Sequence, residues 1–338
     1  MSRKLYTQTA LGLILGSTAM AEAPSVAVDI VPVHSLVARV MEGVGAPNLI
    51  IPPGASPHEY SLRPSEAQTL QDADIVFWVG EDLTPWLEKS IDTLSQNAEI
   101  TTLLDQSETK LLKFREGALF EAHDHDDHDD HDDHDHDKEH ADHDDHDHDN
   151  EHADHDGHDG HNHGTHDPHA WLSIDNAHSW LNVFAAKLSA VDPENADVYY
   201  GNAASAIAEL DAVEKEINAT LDPVRGNSFV VFHDAYQYFE NSFEFFAAGA
   251  ISLSDASDPS AARIAEVQGR IKNEGIDCIL SEPQYNANMV ATILAGTNAK
   301  TEVLDPLGSS LEPGPNLYPE LVYDMAETLA GCLSDAKK

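Results

Sequence analysis

Basic residues are scarce in this chain. Lysine and arginine together number 18 among 338 residues, against 61 aspartates and glutamates, and the formal net charge is −43. That balance argues against nucleic acid and anionic membrane surfaces as partners, because both are bound through cationic faces. Cysteine is scarcer still. The two present, Cys278 and Cys332, stand far apart in the last quarter of the chain, so CxxC metal and redox spacings are excluded. No HExxH or comparable hydrolase motif occurs. The N-terminal apolar run, Ala10 to Leu15, is too short to cross a bilayer as a permanent anchor.

What is present is concentrated in one place. Of the 21 histidines, 16 lie between His123 and His166. Between Ala122 and Asp167 there are 18 Asp and 2 Glu against one Lys. "HDHDDHDDHDDHDHD", at 123–137, offers a metal ligand or proton acceptor at every position and no periodic apolar residue. Such a segment cannot bury enough apolar surface to fold. It is expected to be a solvated, disordered loop at 122–166, inserted in the first of two domains.

The N-terminus has the pattern of an export signal. Arg3 and Lys4 precede the apolar run, and Ala19-Met20-Ala21 or Ala21-Glu22-Ala23 supplies a small-x-small cleavage site. In an exported protein an even cysteine count points to a disulfide, here closing about 55 residues and contributing roughly 4 kcal/mol. Two reduced core cysteines are the alternative.

Outside the tract the chain reads as two similar halves, alike in pattern but without a sequence repeat. Strand-like apolar runs are expected at Ser25–Ile30, Asn48–Ile51, Asp74–Val79 and Ile100–Leu104, then at Ser228–Phe232, Glu244–Ile251, Asp277–Leu280 and Thr301–Leu304. Helical patterns separate them at His34–Gly43, Pro64–Asp72, Ala235–Asn241, Ser260–Gly275 and Ala287–Ala295. Strands alternating with helices define an α/β fold with parallel sheets covered on both faces. Between the halves, Pro193 to Leu221 forms one uninterrupted helical pattern, with Asp192 as N-cap and Pro223 at its end. It would be a rod of about 42 Å. The expected division is a signal peptide at 1–21, an N-terminal α/β domain at 24–190, a linking helix at 191–222 and a C-terminal α/β domain at 223–338.

Five histidines lie outside the tract: His34, His58, His169, His178 and His233. His58 sits in a Gly/Pro turn after a strand, His169 just before a helical pattern, and His233 at the C-terminal end of a β run. Asp305, in "TEVLDPLG", is also at a strand end. Ligands of open parallel sheets bind beyond the strand C-termini. Two such sheets facing each other make a cleft, with His58 and His169 on one wall and His233 and Asp305 on the other. Three imidazoles and one carboxylate suit a divalent ion that takes four ligands, zinc above all. Glu59 is the alternative carboxylate, His34 could also face the cleft, and His178 is expected on a helix surface.

"PHEYSLRPS", "DPHAWLS", "VFHDAYQYFE", "SEPQ" and "LDPLG", in this order around an acidic His-rich loop, resemble the zinc-binding periplasmic receptors of bacterial ABC zinc importers. The likeness covers nearly the whole mature chain. It implies two (β/α) domains with four-stranded sheets joined by a long rigid helix. It places the family's zinc ligands on His58, His169 and His233. It implies a carboxylate at Asp305 that ligates in some members, with water or a nearby carboxylate serving in others. Cys278 and Cys332 match a disulfide of such proteins. In manganese-binding relatives the position of His233 is a carboxylate, so nitrogen here shifts the site toward zinc. The tract departs from the family in its length and its HDD repeat.

The expected function is a monomeric periplasmic receptor, not an enzyme, that captures Zn2+ and delivers it to an importer's membrane permease. The tract would be an accessory metal collector. The alternatives are a zinc storage or chaperone protein acting through the tract, and a manganese receptor.

Overall fold

A computed structural model describes residues 23–115, 166–252, 260–284 and 287–334. The expected export signal and nearly all of the tract lie outside these residues. The first half runs β1 (Val26–Val28), α1 (Val31–Val40), β2 (Asn48–Leu49), α2 (Pro64–Gln71), β3 (Ile75–Trp78), α3 (Pro85–Leu94), β4 (Glu99–Thr102) and α4 (Ile174–Val191). Then come the long α5 (Ala196–Leu221) and the second half: β5 (Phe229–His233), α6 (Gln237–Phe243), β6 (Ala250–Ser252), α7 (Ala261–Glu274), β7 (Cys278–Ser281), α8 (Ala287–Leu294), β8 (Lys300–Val303) and α9 (Leu317–Ser334).

Both sheets are four-stranded and parallel, and they share one topology. The orders are β2-β1-β3-β4 and β6-β5-β7-β8. The central strands are apolar on both faces because helices cover both. In β5, Phe229 and Val231 join the main core, whereas Val230 and Phe232 join a second cluster with Val267 and Ile271 of α7. β8 is an edge strand exposed along its length, and its Lys300 and Glu302 discourage further pairing.

The strand and helix pattern of the sequence matches these elements with ends shifted by one to three residues, with one larger difference. The expected strand Glu244–Ile251 shrinks to Ala250–Ser252, because α6 runs to Phe243 and Glu244 caps it in the left-handed region at φ 50°. The expected rod begins one turn late. Pro193–Asn195 is a 3-10 turn, and α5 proper spans 26 residues, about 39 Å. Asp192 does not cap the backbone through its side chain. Its Oδ2 accepts instead from Asn195 Nδ2 at 2.7 Å and Tyr199 Oη at 2.8 Å. The sequence pattern did not reveal α3 or α9, the second of which lies against α5 and α1.

α5 and α9 make the two halves one body. Tyr199, Leu210, Ile217 and Leu221 of α5 share a single buried cluster with residues of both sheets and with Tyr318, Leu321 and Met325 of α9. Two buried hydrogen bonds reinforce this from the start of α9: Tyr318 N donates to Ser35 Oγ at 2.9 Å, and Tyr318 Oη donates to the Trp171 carbonyl at 2.7 Å. The strand ends of the two sheets are thereby held at a fixed spacing.

Cys278 of β7 and Cys332 of α9 form a disulfide with a Cα separation of 5.9 Å. It pins the last helix to a central strand. The bridge spans 54 residues, for which the chain-entropy model gives about 4 kcal/mol. Unfolded, unreduced protein is expected to show no thiols in a colorimetric titration. Reduction and alkylation should lower the urea-unfolding free energy by about that amount; two reactive thiols before reduction would contradict the pairing.

Candidate metal centre

Three histidines converge between the two sheets. His58 lies on the loop from β2 to α2. That loop turns at Gly54, whose φ of +81° favours glycine, and it is anchored where Trp86 Nε1 of α3 donates to the Pro57 carbonyl at 2.8 Å. His169 immediately precedes the 3-10 turn Ala170–Leu172, which leads into α4. His233 is the last residue of β5. His169 and His233 are buried and His58 is half-buried. One nitrogen from each ring lies within 4.8 Å of the other two. Ring centroids are 4.9 Å apart for His169–His233, 5.5 Å for His58–His169 and 6.1 Å for His58–His233.

Two of the rings are oriented by carboxylates. His169 Nδ1 lies 2.7 Å from Asp167 Oδ1, and the same oxygen accepts from His169 N at 3.0 Å. Gln237, its amide nitrogen turned inward, donates to Asp167 Oδ2 at 3.1 Å. Burial pushes the Asp167 carboxyl up to about 7, against the opposing pull of the His169 N–H and the charges of Arg115 and His233. His233 Nδ1 lies 3.1 and 3.3 Å from the two oxygens of Glu282. With Nδ1–H directed at a carboxylate, each ring carries its lone pair on Nε2.

Topology explains the second pair. In the order β6-β5-β7-β8 the chain reverses direction of progress between β5 and β7. Ligands bind at this switch point, beyond the strand C-termini. His233 ends β5 and Glu282 follows the end of β7, so they meet there. In the first sheet the same position, between β1 and β3, is closed by Asp29, whose Oδ2 accepts from Val79 N at 2.7 Å.

The cleft has a cavity volume of about 10 Å3 and is walled by Pro57, Trp171, Pro306 and Leu307 beside the histidines. That is room for about one water-sized body, far below the roughly 300 Å3 at which organic ligand sites start, so this space suits an ion. Trp171 packs on His169 at 5.2 Å between centroids, and its Nε1 donates to the Pro306 carbonyl at 2.9 Å, linking the two walls. In tetrahedral zinc coordination, nitrogens about 2.0–2.1 Å from the metal lie about 3.4 Å apart. The observed spread needs only a small contraction.

The Asp305 carboxylate closes its own turn: Oδ1 accepts from Leu307 N and Gly308 N at 2.9 and 3.1 Å, and Oδ2 from Ser309 N at 2.6 Å and from Ser309 Oγ. Those four bonds use its lone pairs. Glu59 is exposed. His34 lies within α1, with Nε2 3.1 Å from the Pro47 carbonyl. His178 is on α4 but not on its open face; Nε2 points toward Asp211 of α5 at 3.6 Å. Glu282 and Asp167 were not singled out from sequence, although each lies inside a quoted motif, "SEPQ" and "DPHAWLS". The available signal was a carboxylate at a strand end, or two residues before a candidate histidine.

Two parallel α/β domains, held by a long helix around a cleft of imidazoles, define a two-lobed binding protein of the kind that encloses a small ligand between its domains. Residues 26–332 match the family described as ZnuA: Zinc-uptake complex component A periplasmic, and the chain belongs to that family. It is 47% identical over 319 residues to the "High-affinity zinc uptake system protein ZnuA" of Brucella suis biovar 1, covering 94% of each chain. It is 46% identical to the protein of that name from Paracoccus denitrificans, covering 96% of this chain and 97% of the other. Among solved structures, one described as "Crystal structure of ZnuA" superposes with a TM-score of 0.68 at 19% identity, over 91% of this chain and 98% of that one.

Removal of the Asp305 carboxylate tests its structural part. Asp305→Ala strands up to four donors of one turn, and is expected to lower unfolding stability by about 1–3 kcal/mol. Urea unfolding of the metal-free protein would show it; an unchanged midpoint would sink the turn-closing role.

Proposed function

We propose that this chain is a periplasmic receptor that captures Zn2+ in the cleft and delivers it to the membrane permease of an ABC importer. His58, His169 and His233 are the proposed ligands, each through one nitrogen. The observation that carries this is the convergence of three imidazoles within 4.8 Å, two of them backed by buried carboxylates. Nitrogen-rich donor sets select borderline ions, zinc among them, over the harder ions favoured by oxygen. The carboxylates hold the rings in the ligating tautomer and raise their basicity. Membership of a zinc-uptake family supports the same cargo.

The fourth coordination position is proposed for water or a carboxylate. Asp305 remains a candidate, and would have to surrender turn hydrogen bonds to take it. Glu282 also lines the cleft, and its carboxylate is already paired with His233 Nδ1. The receptor is proposed to act as a monomer, and the tract at 122–166 as an accessory collector. By its sequence the tract would have to order its backbone to chelate, at about 1–2 kcal/mol per residue, so the cleft is proposed to bind far more tightly than the tract.

His58→Ala, His169→Ala and His233→Ala are each expected to weaken the tight site by orders of magnitude, measured by competition with a chelator of known zinc affinity. Manganese should compete poorly in the same assay. Wild-type zinc affinity in a tract-deleted His169→Ala protein would contradict the ligand set.

The tract is tested by calorimetry on full-length and tract-deleted protein. At neutral pH the full-length protein should show several weak sites besides the tight one. The weak sites should vanish on mild acidification, because imidazoles with pKa near 6.5, raised by neighbouring aspartates, take up protons instead of metal. Equal stoichiometry in the two proteins would remove the collector role.

A further inference from the structure

Just before the tract, residues 110–115 lie as a strap across the joint between the domains. Lys110 N donates to Asn176 Oδ1 of α4 at 2.8 Å, and Asn176 Nδ2 returns a bond to the Lys110 carbonyl at 3.1 Å. Leu112 N donates to Tyr238 Oη of α6 at 2.9 Å, and that hydroxyl donates to the Asp167 carbonyl at 2.9 Å. Asp167 N donates to the Leu112 carbonyl at 2.8 Å, and Lys113 pairs antiparallel with His166. The segment that enters the tract and the segment that leaves it, carrying His169, are thus joined at their base.

The strap ends in Arg115, and its guanidinium reaches into the second domain. Nε lies 3.0 and 3.1 Å from the Asp234 oxygens, and Nη2 also donates to Asp234 Oδ1. Nη1 donates to Glu240 Oε2 at 2.6 Å and Nη2 to Glu240 Oε1 at 3.1 Å. Asp234 and Glu240 are 7% and 1% exposed at their side chains, too buried to rely on water for compensation. Asp234 follows His233 directly, and Glu240 sits on α6, whose Tyr238 and Gln237 hold Asp167, the partner of His169. One planar fork therefore grips the side chain next to one proposed ligand and a side chain of the helix that buttresses another.

We propose that Arg115 is a positioning residue of the cleft: by clamping Asp234 and Glu240 it fixes His233 and His169 relative to each other and sets how slowly a captured ion leaves. This rests on the receptor reading above. The proposed action of Arg115 is through the two carboxylates. Lysine cannot replace it, because a single ammonium cannot serve both carboxylates in a fixed plane. Loss of the clamp should act on release more than on capture, since capture requires only encounter with an open cleft whereas retention requires all three nitrogens in place.

The test is zinc dissociation from the full chain, followed by stopped flow into an excess of a chromophoric chelator, with association measured separately. Arg115→Met and Arg115→Lys should each release zinc about 10–100-fold faster, the range typical for groups that orient metal ligands, with association changed much less. Arg115→Met leaves two buried carboxylates without a cation and could fold poorly. The triple variant Arg115→Met/Asp234→Asn/Glu240→Gln removes that charge and keeps the test open; it too should release zinc fast. Restoration of wild-type release in the triple variant would show that Arg115 only balances charge, and would overturn the proposal. So would wild-type release from Arg115→Met or Arg115→Lys, even with a lowered melting temperature. A wild-type protein that binds no zinc would instead bring down the receptor reading itself.

Discussion

The cleft depends on the pairing of buried imidazole with buried carboxylate, Asp167 with His169 and Glu282 with His233. An imidazole that must offer Nε2 to a ligand has to be held by Nδ1, and a backbone carbonyl could do that as well. A carboxylate does more. In its ionised form it places negative charge behind the ring, and a cation bound at Nε2 would favour that form. Burying carboxylates is costly, and the fold offsets the cost with donors: the His169 N–H and the Gln237 amide for Asp167, and the guanidinium of Arg115 for Asp234 and Glu240. The acidic excess of the inner wall favours a divalent cation over a neutral or anionic ligand.

That arrangement has value only if the walls keep their spacing. The two sheets share one topology, yet they use their switch points differently. In the first sheet Asp29 closes the gap by accepting from Ile30 N and Val79 N. In the second the equivalent gap is left to His233 and Glu282, with the cleft beyond them. One sheet is locked and the other is chemically equipped. Their separation is then set by α5, by α9 and by the cross-wall bonds of Trp171 and Tyr318. A continuous apolar core through both halves resists wide hinge opening, because parting the lobes would expose Tyr199, Tyr318 and their neighbours to water.

The sequence made visible what periodicity and punctuation encode. The strands, the long helix and the three histidines of the candidate site could be placed because parallel strands buried on both faces read as apolar runs, and because ligands gather where such runs end. It hid what depends on partners distant in the chain. Glu282 is 49 residues from His233, and Arg115 is 119 from Asp234; no local pattern joins them. Asp305 shows a second limit. The sequence marks a carboxylate at a strand end, but not the four bonds that the following Pro-Leu-Gly-Ser turn gives it. α9 stayed unseen because its apolar face follows a Gly/Pro-rich stretch that draws the reading toward loop. His34 sits one turn into a helix whose start lies earlier than its pattern implied, and its ring turns to Pro47 instead of the cleft.

The contrast between tract and cleft is one of entropy more than of donor chemistry. Both offer imidazole and carboxylate, and the tract offers far more of each. In the cleft the rotamers are fixed before a ligand arrives, by Asp167, Glu282, Trp171 and the anchored Pro57 turn, so the proposed ligation by three nitrogens would carry little ordering cost. By its sequence the tract has no periodic apolar residue to bury; as a proposed collector it would have to order its backbone to chelate, and its crowded aspartates would favour protons on its imidazoles. On that reading sixteen histidines there would not substitute for three in the cleft. A composition dominated by the tract therefore conceals the site that the fold was built to hold.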